Sequence, residues 1–280
     1  MNQFEQFQAA LNLTKVSDGV FSFTPDPKYF VGNTPHGGYL LALMNKAMTS
    51  VLPHPSAINS NVYYLDRTEP EPAELHVELL RTSKGSSMGQ VKLIQNKKLT
   101  CLYSSLCSDF QYMKGYSGLG TALPEIINSV PEKDFKVMNY ENFKVGSTPS
   151  FIQQLDMFVH PDHAWWDRSI SNDEAEARCS AYLELKGGIA DTYVLSYIAD
   201  ILPPVVQNKY GALGWIPTLA LTCNIRQLPK TNRLFIDGLA KDISNGYFEQ
   251  DCYIWDMDGN LVATSRQLAK ILKSEEKLSS

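Results

Sequence analysis

Two places in this 280-residue chain gather residue types that can do chemistry. The first is Thr34-Pro35-His36-Gly37-Gly38, at the head of an apolar run. Glycines there allow a ligand to approach closely, and the free N–H groups of a helix start attract an oxyanion or a phosphate. The second lies in the back half, with an acid, Asp200, near a helix end, a hydroxyl, Thr218, opening a strand, and an amide, Gln267, on the last strand. A carboxylate with two neutral polar groups can hold and deprotonate a water. Local sequence also admits plainer readings. Asp200 is then an acid near a helix terminus, Thr218 and Gln267 are ordinary strand residues, and Gly37 and Gly38 serve tight packing. For His36 the favoured reading is a local cap or hydrogen bond.

The elements that must position these residues come in two similar sets, and duplicated halves usually pack around a shared site. In the first set, a helix starting after Thr34 leads to an apolar stretch closing on Arg67-Thr68-Glu69-Pro70, followed by three strand-like runs. In the second, Asp191-Thr192-Tyr193-Val194-Leu195 opens a helix, a strand closes on Arg226-Gln227-Leu228-Pro229, and three runs follow. Thr34 is expected to cap the first helix, with Pro35 in its first position and Pro53 and Pro55 beyond its end. Strands are expected at Ser60 to Leu65, Glu74 to Arg81, Gly89 to Gln95 and Leu99 to Phe110, with Lys97-Lys98 turning between the last two. Their counterparts are Thr218 to Arg226, Arg233 to Ala240, Gly246 to Trp255 and Asn260 to Lys270, with Asp258-Gly259 as the strongest hairpin signal. An amphipathic helix is expected from Phe4 to Leu13, and further strands at Gly19 to Thr24, Phe151 to Val159 and Ala175 to Leu185. Met113 to Ser150, broken by glycines and prolines, reads as a surface connection, and Ser274 to Ser280 as a frayed tail. The resulting fold class is α+β, an antiparallel sheet wrapped around one long apolar helix, made twice. The boundaries are 1–112, a linker at 113–150, and 151–280.

Bulk properties narrow the function. With Lys and Arg numbering 25 against 30 Asp and Glu, the net charge is −5, and no basic cluster supplies the footprint of nucleic-acid binding. The five cysteines lack CxxC spacing and fit reduced core thiols, which together with the absence of a leader-like start or a bilayer-length apolar run points to a soluble, cytoplasmic protein. His160-Pro161-Asp162-His163 has the residue types of a metal site but no matching cluster elsewhere, so a solvated loop is expected there and no metal. Trp165-Trp166 is expected to pack between the halves.

At this point the residues carry a resemblance. His36-Gly37-Gly38 opening a buried helix resembles the hot-dog signature of acyl-CoA thioesterases. The second half, with Ala199-Asp200-Ile201-Leu202-Pro203, Trp215-Ile216-Pro217-Thr218 and the hairpin from Trp255 to Gln267, is similar to the double hot-dog acyl-CoA thioesterase II family. The resemblance implies two tandem hot-dog subdomains, an acyl-CoA substrate, no cofactor, and a water held by Asp200, Thr218 and Gln267 for direct attack on the thioester. By analogy, association into homodimers follows, because hot-dog sheets commonly continue across subunits. His36, Gly37 and Gly38 become candidate substrate-binding residues. The chain departs from the pattern at Ala220-Leu221, where the family commonly shows Asp-His. In the first copy Asn59 falls opposite Thr218 and Ser105 opposite Gln267, and the helix from Gly38 to Val51 has no carboxylate. That half is expected to supply packing, an acyl-pocket wall and the dipole of its helix. An enoyl-CoA hydratase-like lyase is the alternative, although Asn33 stands where its acid is expected, and it would need a carboxylate near His36 in space. A non-catalytic acyl-CoA binder is the other.

Overall fold

Turn chemistry and strand alternation account for most of the chain path. The computed structural model describes residues 1–139, 141, 149–167 and 174–272. Helix α1 (Gln3–Ala10) is fixed by a reciprocal cap, in which the Asn2 side chain accepts from the Glu5 N–H and the Glu5 carboxylate accepts from the Asn2 N–H. That cap turns Phe7 inward, where it stacks on Tyr197 at 5.0 Å. Strands β1 (Thr14–Ser17) and β2 (Val20–Phe23) follow, and Phe30–Val31 (β3) and Thr34–Pro35 (β4) form a two-residue ladder. Thr34 therefore does not cap. Pro35 holds Thr34 extended, the His36 N–H bonds the Tyr29 carbonyl, and α2 (Gly37–Val51) starts with His36 as its N-cap residue.

Four long strands complete the front half: β5 (Ser56–Tyr64), β6 (Ala73–Thr82), β7 (Ser87–Gln95) and β8 (Lys98–Ser108). The turn between the last two is Asn96-Lys97, one residue earlier than expected, because both residues adopt positive φ, 51° and 65°, as a two-residue hairpin demands. The back half contains β9 (Lys136–Val137), β10 (Asp156–Val159), β11 (Arg178–Glu184), α3 (Thr192–Ile198), α4 (Gln207–Tyr210), β12 (Thr218–Ile225), β13 (Arg233–Leu239), β14 (Tyr247–Asp256) and β15 (Leu261–Lys270). Helix α3 has only seven residues, since the Asp191 cap fixes its start and Pro203-Pro204 follow closely on its end. The β14–β15 hairpin does turn at Asp258-Gly259, where Asp256 accepts from the Asp258 and Asn260 N–H groups.

Thirteen strands form one antiparallel sheet in the order β1-β2-β6-β7-β8-β5-β12-β15-β14-β13-β11-β10-β9. From the central β5–β12 seam outward, the strand after each helix comes first, then the fourth, third and second of its set. The seam itself pairs Asn59 to Tyr63 with Ala220 to Asn224. Both helices lie on one face of this sheet and run antiparallel, because positions rising along α2 meet positions falling along α3: His36 with Asp200, Asn45 with Ser196, Thr49 with Tyr193. Helix α2 is buried nearly all round, with Leu41, Leu43 and Met44 each at 0% exposure.

The connection does more than cross the surface. Ile127 and Phe135 are buried against Tyr182, Phe235 and Trp255 on the sheet face opposite the helices, and the Trp255 indole donates to the Thr121 carbonyl at 2.8 Å. Leu123, Ile126 and Val130 pack beside them and help seal that outer face. Trp165 joins the main core, with Trp166 packed against it, and the tail from 273 lies outside the described residues. Truncating Leu43 to Ala removes a fully buried side chain between helix and sheet. The expected loss of unfolding free energy is about 2–5 kcal/mol, read by urea denaturation.

Candidate active site

The start of α2 and the end of α3 meet because glycine lets them. A Cβ built on Gly38 would lie 2.3 Å from the Tyr197 carbonyl oxygen, and one on Gly37 would lie 2.6 Å from Asp200 Oδ2. Neither glycine has an unusual φ, so the requirement is space for the facing chain. Helix α3 ends at Ile198, and Asp200 follows in the turn that precedes Pro203. His36 gives α2 no side-chain cap, which leaves the positive end of that helix facing the Asp200 carboxylate.

Burial sets the protonation states here. The Asp200 side chain is 9% exposed. Desolvation pushes its carboxyl up to about 7, opposed by a hydrogen bond from the Gly38 N–H. His36 is pushed down to about 4, again by burial, against the hydrogen bond to the Asp200 backbone. Its Nε2 lies 2.9 Å from the Asp200 carbonyl oxygen, which can only accept, so Nε2 carries the proton and Nδ1 holds a lone pair. That Nδ1 is buried and has no hydrogen-bond partner among the described residues. His36 Nε2 is also 3.6 Å from Asp200 Oδ2. With the ring neutral at pH 7, that contact is not an ion pair. The imidazole is held on its other side by the Phe151 ring, 4.3 Å away. His36 thus neither caps nor bonds locally, because its bond spans 164 positions to the opposite half.

One participant carries no local signal in the sequence. Tyr64, near the end of β5, donates its hydroxyl to the Gly37 carbonyl at 2.7 Å. Burial, and next the charge of Asp200, hold its phenol well above the ordinary value. Only the alternation of β5, which turns Val62 and Tyr64 to the helix side, hints at its place.

Thr218 and Gln267 form a second piece. The Thr218 hydroxyl donates to Gln267 Oε1 at 2.8 Å, which turns the amide NH2 the other way. Gln267 is buried, on the same side of β15 as Ser265, whose hydroxyl donates to the Ala199 carbonyl at 2.7 Å. That bond ties the strand bearing Gln267 to the residue before Asp200. Among the described residues no hydrogen bond joins Asp200 itself to Thr218 or Gln267.

The other ends of the helix pair look different. Asp191 accepts from the Tyr193 and Val194 N–H groups, both at 2.9 Å, so the start of α3 is neutralised by its own cap. In the front half Ser105 donates to the Asn59 carbonyl at 2.8 Å, a pair without a carboxylate.

His160-Pro161-Asp162-His163 is not a solvated loop. His160 and His163 are buried, and their Nδ1 atoms accept from the Asp162 and Ser180 N–H groups. Since His160 Nδ1 accepts, its Nε2 donates to the Ser129 hydroxyl at 2.9 Å, the wrong direction for activating a serine. No cluster that could hold a metal occurs among the described residues. Clefts of about 450 and 330 Å³ open beside Tyr182 and Arg233, where the connection crosses the sheet, and Asp200 lines neither.

Comparison with known proteins places this architecture. A protein of unknown function with a hot-dog fold from Alicyclobacillus acidocaldarius superposes with a TM-score of 0.81 at 19% identity, over 96% of this chain and 98% of that one. An acyl-CoA thioesterase II from Mycobacterium marinum gives 0.74 at 14% identity, over 96% and 98%. The sheet and its helices are therefore a hot-dog fold. Residues 24–107 match the N-terminal domain of acyl-CoA thioesterases, and 128–271 match the C-terminal domain. The chain belongs to the acyl-CoA thioesterase family. Uncharacterised proteins from Mycobacterium bovis and Mycobacterium tuberculosis are 30% identical over 84 residues, a stretch that spans 30% of this chain and 29% of each of those. Among the described residues no helix is long and apolar enough to cross a membrane.

The raised Asp200 carboxyl has a consequence for stability. Its folded value, about 7, exceeds that of an unfolded aspartate, so the native state holds a proton that the unfolded chain releases between about pH 4 and 7. Stability from this group is complete below about pH 4 and falls as pH rises to 7. Asp200→Asn is expected to lie within about 1 kcal/mol of the parent near pH 4.5 and to be more stable at pH 8 by roughly 2–4 kcal/mol, measured by urea titration at both pH values.

Proposed function

We propose that the protein hydrolyses acyl-CoA thioesters to free acid and CoA, with a water held by Asp200, Thr218 and Gln267 as the nucleophile. The family match over both halves and the buried carboxyl with a value of about 7 support this reading. The observation that carries it is the placement of that carboxyl against the uncapped start of α2. Water adds to the carbonyl carbon while Asp200 accepts its proton. The Thr218–Gln267 pair, with the hydroxyl fixed on Oε1, orients the attacking oxygen through the amide. The thioester oxygen, where charge develops, is received beside His36-Gly37-Gly38 at the positive end of the helix, by N–H groups that neither Tyr29 nor Asp200 engages. The C–S bond then breaks, and the thiolate of CoA takes up a proton. No metal or cofactor enters this scheme.

The finer architecture belongs to the same proposal. Residues 1–112 and 151–280 are two tandem hot-dog units, with 113–150 as their connection. The substrate is a lipid-metabolic acyl-CoA, the protein is soluble and cytoplasmic, and the acidic net charge of −5 supports a partner other than nucleic acid. Association into a homodimer has to use some surface other than the β5–β12 seam, since that pairing already lies within one chain.

One observation favours a second reading. The carboxylate that a lyase needs beside His36 is present, supplied by Asp200 from the opposite half at 3.6 Å. Hydration of an enoyl-CoA consumes the conjugated double bond and leaves the thioester intact, whereas hydrolysis liberates a thiol. Free-thiol release is expected across a series of acyl-CoA lengths, with Asp200→Asn folded but slower by about 10²–10⁴-fold. Loss of enoyl absorbance without thiol establishes the lyase, and retention of acyl-CoA without either change establishes a binder. Because the base must be ionised, kcat/KM is expected to rise with pH through about 7 and level off above it.

A further inference from the structure

The peptide unit between Gly37 and Gly38 is flanked on both sides by side chains from distant elements. Its carbonyl accepts from the Tyr64 hydroxyl at 2.7 Å, and its N–H faces the Asp200 side chain, which is held against both glycines. The chain runs Tyr64 O–H to Gly37 C=O, then Gly38 N–H to Asp200. Donation to an amide oxygen withdraws electron density through the C–N bond, so the N–H becomes a stronger donor to whatever it meets, by an amount on the order of 10–30% per bond. A Cβ on Gly37 would sit 3.0 Å from the Tyr64 hydroxyl and 2.6 Å from Asp200 Oδ2, so both side chains crowd the same peptide. We propose that Tyr64 is a positioning residue for Asp200, acting through the Gly37–Gly38 peptide to orient the carboxylate and favour its ionised form.

The proposal rests on the hydrolysis reading for its effect on rate, but the Tyr64–Gly37 hydrogen bond and the crowding of Asp200 against the same peptide stand whatever the reaction. Other ionisable groups facing Asp200 do not confuse its titration. His36 is pushed down to about 4 by burial, Cys252 is pushed up to about 12 by burial, and Tyr64 itself lies well above 10 for the same reason first. Between pH 5 and 9, Asp200 is the member of this group that changes charge.

Tyr64→Phe keeps the ring and removes the donor. Two measurements test it on the full chain: the carboxyl ¹³C titration of labelled aspartate, with the Asp200 signal assigned by its absence in Asp200→Asn, and kcat/KM against pH for thiol release. The Asp200 midpoint is expected to move upward by a few tenths of a pH unit in Tyr64→Phe. The rate then drops about two-fold on the acidic limb and is unchanged above pH 9. An unmoved Asp200 midpoint overturns the proposal, as does an even loss of rate at all pH values, which is what a merely structural tyrosine would give. If the parent protein releases no thiol, the hydrolysis reading falls separately, and the carboxyl titration alone upholds or overturns the role of Tyr64.

Discussion

The rest of the structure depends on two helix ends from opposite halves completing each other. A helix start carries N–H groups without partners, and a buried carboxyl needs donors. Here α2 has no side-chain cap at His36, and Asp200 is almost closed off from solvent. Bringing them together satisfies both requirements, and only glycine at 37 and 38 leaves room for it. The balance is incomplete, which is why the carboxyl stays near 7 instead of returning to the ordinary acidic range. A site poised in that way exchanges protons readily at neutral pH.

The same helix pair shows what the protein does where no chemistry is wanted. At the far end, Asp191 occupies the start of α3 with its own side chain, Asn45 bonds Ser196, and the Thr49 and Tyr193 hydroxyls meet at 2.9 Å. These are neutral or self-contained arrangements. The two ends of the helix pair thus differ, one holding a buried carboxyl that is incompletely satisfied and one holding none.

Elements governed by local rules were legible in the sequence. The Asp258-Gly259 hairpin, the strands that alternate, and the apolar run of α2 all follow from a few neighbouring residues. The start of α2 was legible only to within two residues, because Pro35 suits a first helical position as well as the extended ladder it forms with Phe30. His160 and His163 read as a solvated loop because Pro161 stands between them and no matching cluster accompanies them, yet backbone donors from close by and from β11 make them good core residues. The hardest part was the company of Asp200. Its own motif marks it, but the bond from His36 and the relay from Tyr64 depend on pairing β5 with β12 and on the antiparallel helices, neither of which a local pattern encodes. Ile127 and Phe135 were hidden for the same reason, inside a stretch whose glycines and prolines suggest only a tether.

The β5–β12 seam has a thermodynamic meaning of its own. Because both partners are on one polypeptide, joining the halves is an intramolecular event, and the residues around Asp200 come together at any dilution. Two separate copies would need a concentration above their dissociation constant to achieve the same meeting. They would also be bound to carry identical helix ends at both junctions. Covalent linkage removes both obligations, so one junction is free to drift while the other is kept.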